Sequence, residues 1–421
     1  MGQVLGIDFG TSNSAVGICV DGAPRLIEME RGQATLPTAV FFDFDAQRVV
    51  YGTAAQNALI DGEEGRYMRA LKSLLGTSLM REKRMMLGKR TDFIGIVGAF
   101  LAELKRRAEE ATGLTFDRAL SGRPVKFHSA DPARNAQALV DLKACYAAAG
   151  FDDVRFMPEP EAAARAASHV LSEGDLGLVV DIGGGTSDFT LFRHRAGGPT
   201  DVLHSNGLRL GGTDFDRELS LTHVMPHLGK GTPIRHAFGS ETHLAPNRIF
   251  TDLATWQKIP FLYTADIRRN ARELAQHAIE AKRLARLVKV LEDELGHDLA
   301  FAVEAGKMAA NDSSKTPRVG IDLSVLEPGI MIPLSSDLMA KTLNDGAQMI
   351  ADTAADTVTD AGSSPDDVTK LVFVGGSSLM DVVGAALQGR FPKAAIHRTA
   401  ALTGVVDGLA LAAEESFGDV R

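Results

Sequence analysis

Short apolar runs bounded by Gly, Asp and Asn alternate with longer amphipathic stretches along most of the chain. Val4–Phe9, Ala15–Val20 and Arg25–Glu28 read as a three-strand meander, turned at Gly10–Ser14 and at Asp21-Gly22. Ala39–Phe44 and Arg48–Tyr51 have the same strand character. Thr53–Asp61 and Arg66–Leu75 read as helices, the second ended by Gly76. Phe93–Thr112 spaces its apolar residues for one helical face and stops at Gly113. Arg118–Ser121 opens a strand that continues toward Pro124-Val125. Asp131 as N-cap and Pro132 at the first helical position predict a helix to Ala149. Val154–Met157 is then a strand and Pro160–Leu171 a helix.

The second half repeats the opening. Leu178–Ile182, Phe189–Phe192 and Val202–Leu208 form another three-strand pattern. From Phe215 to about Asn311 the chain is mostly helical and Ala-rich, with polar interruptions near Gly229–Asn247. Pro317–Leu323 and Gly329–Ile332 read as a hairpin, and Ser335–Ala361 as a helix. Lys370–Val374 is a strand running into Gly375-Gly376-Ser377-Ser378, followed by helices at Leu379–Arg390 and Gly404–Ala413. Strands alternating with helices predict an α/β fold with a largely parallel sheet.

Length changes this picture by dividing it: 421 residues exceed what one core usually supports, so two or more domains are expected. A formal net charge of -9 argues against a nucleic-acid surface, which needs a concentrated basic face. Lys282, Arg283, Arg286 and Lys289 fit a solvated helical face instead. Cys19 and Cys145, the two cysteines, fit buried thiols in a reducing cytosol. No apolar run reaches the ~18 residues needed to cross a bilayer, and no leader precedes Val4. The expectation is a cytoplasmic protein without membrane contact.

The chemistry lies in a phrase that occurs twice. Val4-Leu-Gly-Ile-Asp8-Phe-Gly-Thr11-Ser12-Asn13 and Leu178-Val-Val-Asp181-Ile-Gly183-Gly184-Gly185-Thr186-Ser-Asp188 each give an apolar strand, an Asp and a small-residue turn. Such a turn exposes several backbone N–H groups that can cradle phosphate oxygens. The Asp at each strand end can hold a hydrated divalent cation against them. Two copies suggest a nucleoside triphosphate gripped between two similar halves. Alone, the first turn is equally a tight hairpin with a capping Asp. Three successive glycines in the second carry an entropy cost that close approach to a ligand would explain.

Phosphoryl transfer asks for charge and positioning more than covalent chemistry. Lys72, in Leu71-Lys-Ser-Leu-Leu-Gly76, and Glu159, in Met157-Pro-Glu-Pro-Glu161, could supply both, although by spacing alone they read as surface or helix-start residues. Val374-Gly375-Gly376-Ser377 is a nucleoside-contacting turn or a plain βα loop. No Walker-type loop, Gly-x-Gly-x-x-Gly strand-to-helix turn or Gly-x-Ser-x-Gly elbow occurs. His223 and His227 have zinc-pair spacing, but Pro226 intervenes and the Glu of His-Glu-x-x-His is missing.

The ordered set Asp-x-Gly-Thr-Ser, Lys-x-Leu-Leu-Gly, Pro-Glu-Pro, Asp-x-Gly-Gly-Gly-Thr-x-Asp, Gly-Gly-x-Asp-Phe-Asp and Val-Gly-Gly-Ser resembles the ATPase domain of DnaK-type heat-shock chaperones, within the actin and hexokinase-like superfamily. Leu36-Pro-Thr-Ala-Val-Phe-Phe42 and Tyr51-Gly-Thr-Ala-Ala-Gln-Asn57 look like that family too. The resemblance implies a two-lobed actin-like ATPase fold of duplicated ribonuclease-H-like βββαβαβα units. Lobe I would be 1–173, with 396–421 packing back on it. Lobe II would be 174–395, enlarged by a mostly helical subdomain at 216–315.

The implied ligands are ATP or ADP and Mg2+, with K+ as a further candidate ion. Asp8, Asp181 and Asp188 would serve the metal. Thr11, Ser12 and Asn13 would form one phosphate loop, and Gly183, Gly184, Gly185 and Thr186 the other. Lys72 would orient water or the γ-phosphate, and Glu159 would act as base or hold the metal's water shell. Gly212 and Thr213 would approach the nucleotide, Glu304 and Lys307 would touch the ribose, and Gly375, Gly376 and Ser377 would sit at the nucleoside.

Three departures stand out. The family's adenine-sandwiching Arg pair falls on Met308 and Leu379, which removes the cation–π contribution. Asp216 to Glu304 is longer than the family's stretch by roughly fifty residues, carries the single tryptophan Trp256, and resembles a YegD-like subgroup. The family's peptide-binding part is not matched, so the implied role is a slowly hydrolysing, nucleotide-driven conformational switch with an unidentified client or co-chaperone. The inserted helical region is the expected recognition surface. A small-molecule kinase, an actin-like filament protein and a nucleotide-binding module without turnover remain alternatives.

Overall fold

The computed structural model describes residues 3–167, 172–194, 201–235, 241–312, 320–398 and 404–418. Its chain forms two compact units, one built from 1–212 with 347–421 and one from 213–346.

The first unit opens with β1 (Val4–Phe9), β2 (Asn13–Val20) and β3 (Ala23–Leu26), an antiparallel meander as the alternation requires. β4 (Thr35–Pro37) adds to β2 beside the first turn. β5 (Ala39–Asp43), β6 (Arg48–Tyr51) and, after α1 (Thr53–Ile60), β7 (Gly65–Arg69) make a small separate sheet.

The helix expected over Arg66–Leu75 is not formed. Gly65 to Arg69 pair antiparallel with Asp43 to Ala39, burying Tyr67, Met68 and Arg69 in succession. Such tertiary pairing overrides helix propensity. Ala70 then turns left-handed (φ 58°) into a single 3-10 turn, Leu71–Leu74. The hairpin β8 (Arg84–Met86) and β9 (Lys89–Thr91) leads to α2 (Phe93–Thr112), capped by Asp92 at its start and by left-handed Gly113 at its end.

β10 (Arg118–Arg123) lies parallel to β1, and β11 (Asp153–Pro158) parallel to β10, with α3 (Pro132–Ala148) between them in sequence. Asp131 caps α3, its side chain accepting from the Arg134 N–H at 3.0 Å. α4 covers Glu159–Ala166; the rest of the helix expected there, 168–171, lies outside the described residues. The order of the first sheet is β11-β10-β1-β2-β3.

β12 (Leu176–Ile182), β13 (Ser187–Arg193) and β14 (Asp201–Leu208) repeat the meander. α5 (Gly212–Leu219) leads into the second unit, which continues with the hairpin β15 (Pro233–Arg235) and β16 (Thr242–Leu244). Four helices follow: α6 (Asn247–Leu253), α7 (Ala265–His277), α8 (Ala281–Glu292) and α9 (Gly296–Asn311). β17 (Gly320–Asp322) and β18 (Met331–Pro333) form the expected hairpin; 317–319 lie outside the described residues. α10 (Ser336–Asp360) follows.

The first unit resumes with β19 (Lys370–Val374), α11 (Asp381–Arg390), β20 (Ala395–Arg398) and α12 (Gly404–Phe417). β19 is parallel to β12 and β20 to β19, so the second sheet runs β20-β19-β12-β13-β14. Its three antiparallel strands and two parallel additions repeat β1, β2, β3, β10 and β11, with β4 extra in the first sheet, and this duplication belongs to the actin-like ATPase fold.

The core of this unit draws on both sheets: Val4, Leu120, Val179 and Val372 pack with Ala162–Ala164 of α4 and with Val405, Leu409, Ala412 and Ala413 of α12. Small residues let these helices approach closely. A Cβ on Gly408 would lie 1.8 Å from the Ala162 carbonyl oxygen, and one on Gly6 would lie 2.9 Å from the Ala410 nitrogen. Among the described residues no helix is long and apolar enough to cross a membrane.

Candidate functional site

The first small-residue turn is held open by Thr38, fully buried beside it. Thr38 Oγ1 donates to the Gly10 carbonyl at 2.9 Å and lies 2.8 Å from Ser14 Oγ, while the Thr38 N–H donates to the Ser12 carbonyl at 2.9 Å. Sequence reasoning did not single out Thr38; a hydroxyl next to Pro37 gives no signal of a clamp. Asn13, the last residue of the turn, begins β2.

In the second turn the Gly183 N–H donates to the Thr186 carbonyl at 3.0 Å. The Gly183 carbonyl accepts from the Gly212 N–H at 3.0 Å and from Ser377 Oγ at 3.2 Å. One carbonyl therefore ties three expected site segments together: the triglycine turn, Gly211-Gly212 and Gly375-Gly376-Ser377. Gly375 (φ 80°) brings its backbone so close to β12 that a Cβ would meet Asp181 Oδ1 at 2.8 Å.

The two turns meet. A Cβ on Gly184 would lie 2.5 Å from Ser12 Oγ, and one on Gly185 would lie 3.1 Å from Thr11 Oγ1. A side chain at 184 would have to displace Ser12 Oγ, and one at 185 would press on Thr11 and Ser73, so glycine suits the close approach of the two loops.

Lys72 follows the left-handed Ala70 and is held by its surroundings. The Gly76 N–H donates to Asp141 Oδ2 at 2.9 Å, and His128 Nε2 lies 2.7 Å from the Leu75 carbonyl. Lys72 Nζ donates to Glu159 Oε1 at 2.6 Å, and each residue is only 7% exposed. Glu159 is the first residue of α4, positioned by Pro158 and Pro160. The surface reading offered by spacing is thereby corrected for both, while the helix-start reading of Glu159 holds: the strand at 65–69 and the proline-flanked helix start carry them inward.

Asp181 and Asp188 lie directly opposite in the antiparallel register of β12 and β13, so both carboxylates leave the sheet on one face. Asp188 Oδ1 accepts from the Val125 N–H at 2.6 Å. Burial, then Glu159, pushes the Asp188 carboxyl up to about 7 against the pull of Val125, Thr186 and Lys72. Asp8 is likewise pushed up to about 7 by burial and Glu159, with Lys72 opposing. Asp181 is raised well above the carboxylate range by burial, Glu159, Asp188 and Asp8. Burial alone would lower Lys72, but Glu159, Asp8 and Asp188 outweigh it and hold the amine protonated.

Four carboxylates thus share one ammonium, an imbalance that a divalent cation would relieve. Among the described residues no group of three or more His, Cys, Asp or Glu side chains is arranged to ligate a metal directly. The four carboxylates offer oxygen donors only, the chemistry a hard divalent cation takes. His223 Nε2 is 2.9 Å from Thr342 Oγ1, within the second unit.

Next to Lys72 lies a cavity of about 20 Å3, lined by Thr11, Gly185, Thr186, His128 and Arg209. It has room for one water molecule. His128 and Arg209 were not anticipated, since isolated basic residues in loops carry no motif.

Thr213, Glu304 and Lys307 belong to the second unit. Glu304 and Lys307 lie one turn apart on α9, and Lys307 Nζ donates to Asp216 Oδ1 at 2.6 Å. Met308 beside it is 61% exposed; Leu379, in the first unit, is 45% exposed.

The sequence profile described as Hsp70 protein matches residues 4–237, more than half of the chain. The chain belongs to the Hsp70 family. The Hsp70 match begins at β1 and takes in both phosphate-type turns, Lys72, Glu159, Gly212 and Thr213; Glu304, Lys307 and Gly375–Ser377 lie beyond it. Among curated proteins the chain is similar to Chaperone protein DnaK of Nitrosopumilus maritimus (strain SCM1), 27% identical over 386 residues, 88% of this chain and 57% of that protein. It is also similar to Chaperone protein DnaK of Trichormus variabilis (strain ATCC 29413 / PCC 7937), 27% identical over 408 residues, 91% of this chain and 50% of that protein. The chain spans about half the length of these Hsp70 relatives.

Proposed function

We propose that this Hsp70-family chain binds Mg-ATP, hydrolyses it slowly with water as acceptor, and acts as a nucleotide-driven switch in a chaperone-like role. The observation that carries this is the meeting of the two turns, Thr11-Ser12 against Gly184-Gly185, beside the buried Lys72–Glu159 pair. Backbone N–H groups of 11–13 and 184–186 would receive the phosphate oxygens, while the Gly183 N–H closes the turn on the Thr186 carbonyl. Asp8, Asp181 and Asp188 would hold Mg2+ through its water shell, and the ion when bound supplies charge neutralisation of the phosphates.

Lys72 is fixed by Glu159 to orient an attacking water or bind the terminal phosphate. Glu159 accepts from Lys72 and would take up the water's proton. The one-water cavity at Lys72, Thr11 and Thr186 favours water over a bulkier acceptor, against the kinase alternative. Contact between turns and terminal phosphate is what would make the switch sensitive to hydrolysis. The client or co-chaperone is proposed to be a protein, as for the family.

The test is release of inorganic phosphate from Mg-ATP with no added acceptor. Release that Lys72→Met and Glu159→Gln each lower supports the reading. Release only after a polyol or sugar is added points to the kinase, and binding without any release points to a module without turnover.

A further inference from the structure

The single tryptophan sits in the segment that lengthens this chain, yet it is tied to the residue expected at the ribose. Trp256 opens a 3-10 turn, Trp256–Phe261, and is 2% exposed. Its Nε1–H donates to Asp216 Oδ2 at 3.3 Å. The other oxygen of the same carboxylate accepts from Lys307 Nζ at 2.6 Å. The indole also packs edge-on against Phe301, with ring centroids 5.1 Å apart and planes at 77°, and lies 6.2 Å from the His297 ring. Phe301 and His297 are on α9, the helix that carries Glu304 and Lys307. The contacts therefore close a loop, from indole to carboxylate to ammonium to helix and back to indole, all within the second unit.

We infer that Trp256 is a positioning residue for nucleotide binding: through Asp216 it fixes where Lys307 places its ammonium, and through Phe301 it fixes the helix that bears Lys307. The inference rests on the Mg-nucleotide reading above. Its physical basis is the value of a buried N–H donor to a buried, ion-paired carboxylate. The indole N–H on one oxygen and the ammonium on the other orient Asp216 together; loss of the indole donor weakens that hold and, through the carboxylate, the hold on Lys307. An insertion thus serves the nucleotide pocket by buttressing it, not by touching the ligand.

The experiment compares wild type, Trp256→Phe and Asp216→Asn. Phe keeps an aromatic ring in the site and removes the N–H together with part of the indole's volume; Asn keeps the shape of Asp216 and removes its charge without opening a cavity, and it supplies the answer should the Phe variant fold poorly. Two readouts are taken on each. One is the Kd for Mg-ADP by calorimetry. The other is the acetylation rate of Lys307 in nucleotide-free protein by mass spectrometry, referred to exposed Lys341.

The expected result for Trp256→Phe is a Kd for Mg-ADP weaker by about three- to tenfold, the equivalent of one lost hydrogen bond. Lys307 should be labelled several-fold faster while Lys341 is unchanged, and Asp216→Asn should show larger changes of the same sign. A Trp256→Phe protein that matches wild type in Kd, with or without faster labelling, overturns the inference. Wild-type protein that takes up no Mg-ADP overturns the nucleotide reading instead, a failure visible before any variant is made.

Discussion

Lys72 is a cation whose charge is maintained by acids. Glu159 touches it and Asp8 and Asp188 bear on it, so its removal leaves buried carboxylates without a counter-charge. Lys72→Met is expected to lower single-turnover hydrolysis by about two to three orders of magnitude, the size of a lost charge-stabilising contact. It should also cost about 3 kcal/mol of stability in urea unfolding. Adding Glu159→Gln to it should recover part of that stability, because the unpaired charge disappears; a double variant less stable than the sum of the singles would contradict the coupling.

The thiols make a second residue-scale prediction. Cys145 is fully buried, and burial with Asp141 pushes its thiol up to about 12, whereas Cys19 is half-buried on β2. Iodoacetamide at neutral pH should therefore label Cys19 first and leave Cys145 untouched until unfolding, as peptide mass spectrometry would read. The sequence led to two buried thiols, and only Cys145 is one. At this scale the repeated Asp-turn phrase was legible because each copy is local. Thr38, His128 and Arg209 were not, because each acquires its place only when distant strands meet.

Among the elements, the segment 65–76 shows where local reading fails. Its composition suits a helix, and only the antiparallel partner at 39–43 makes it a strand. The error is instructive, since a helix would have placed Lys72 on a smooth face instead of beyond the sharp left-handed turn at Ala70. By contrast α2 and α3 were legible to within a residue or two, because the apolar spacing and Gly113 of the one and Asp131 with Pro132 of the other are written in the chain.

Helix contacts give the element-scale prediction. Gly408→Val in α12 drives a Cβ to within 1.8 Å of the α4 backbone, and should cost more than about 3 kcal/mol in the denaturant midpoint. Gly389→Ala in α11 meets no atom within 4 Å and should instead stabilise by about 0.5–1 kcal/mol. Equal effects of the two would show that the close approach of α4 and α12 is not what holds them.

For the whole molecule, the duplication of the two sheets is what brings two ordinary-looking turns together, Gly184 against Ser12 and Gly185 against Thr11. Its order could be anticipated from the repeated phrase, while the buttressing of Lys307 by Trp256 could not, since a lone tryptophan in a helical insertion most often fills a core. The resemblance implies that Met308 and Leu379 replace the family's arginine pair; on that proposal discrimination between ATP and GTP is expected to be less than about tenfold, as competition binding would measure, and a preference beyond about a hundredfold would contradict it.

The most direct measurement is titration calorimetry of Mg-ATP into wild type, Asp181→Ala and Gly184→Val. Asp181 is a buried carboxylate on which Glu159, Asp188 and Asp8 all bear, and a Val side chain at 184 would fill the space where the two turns touch. Saturable binding to wild type, lost in both variants and weakened by EDTA, is the expected result. Binding that persists unchanged in both variants would contradict the account.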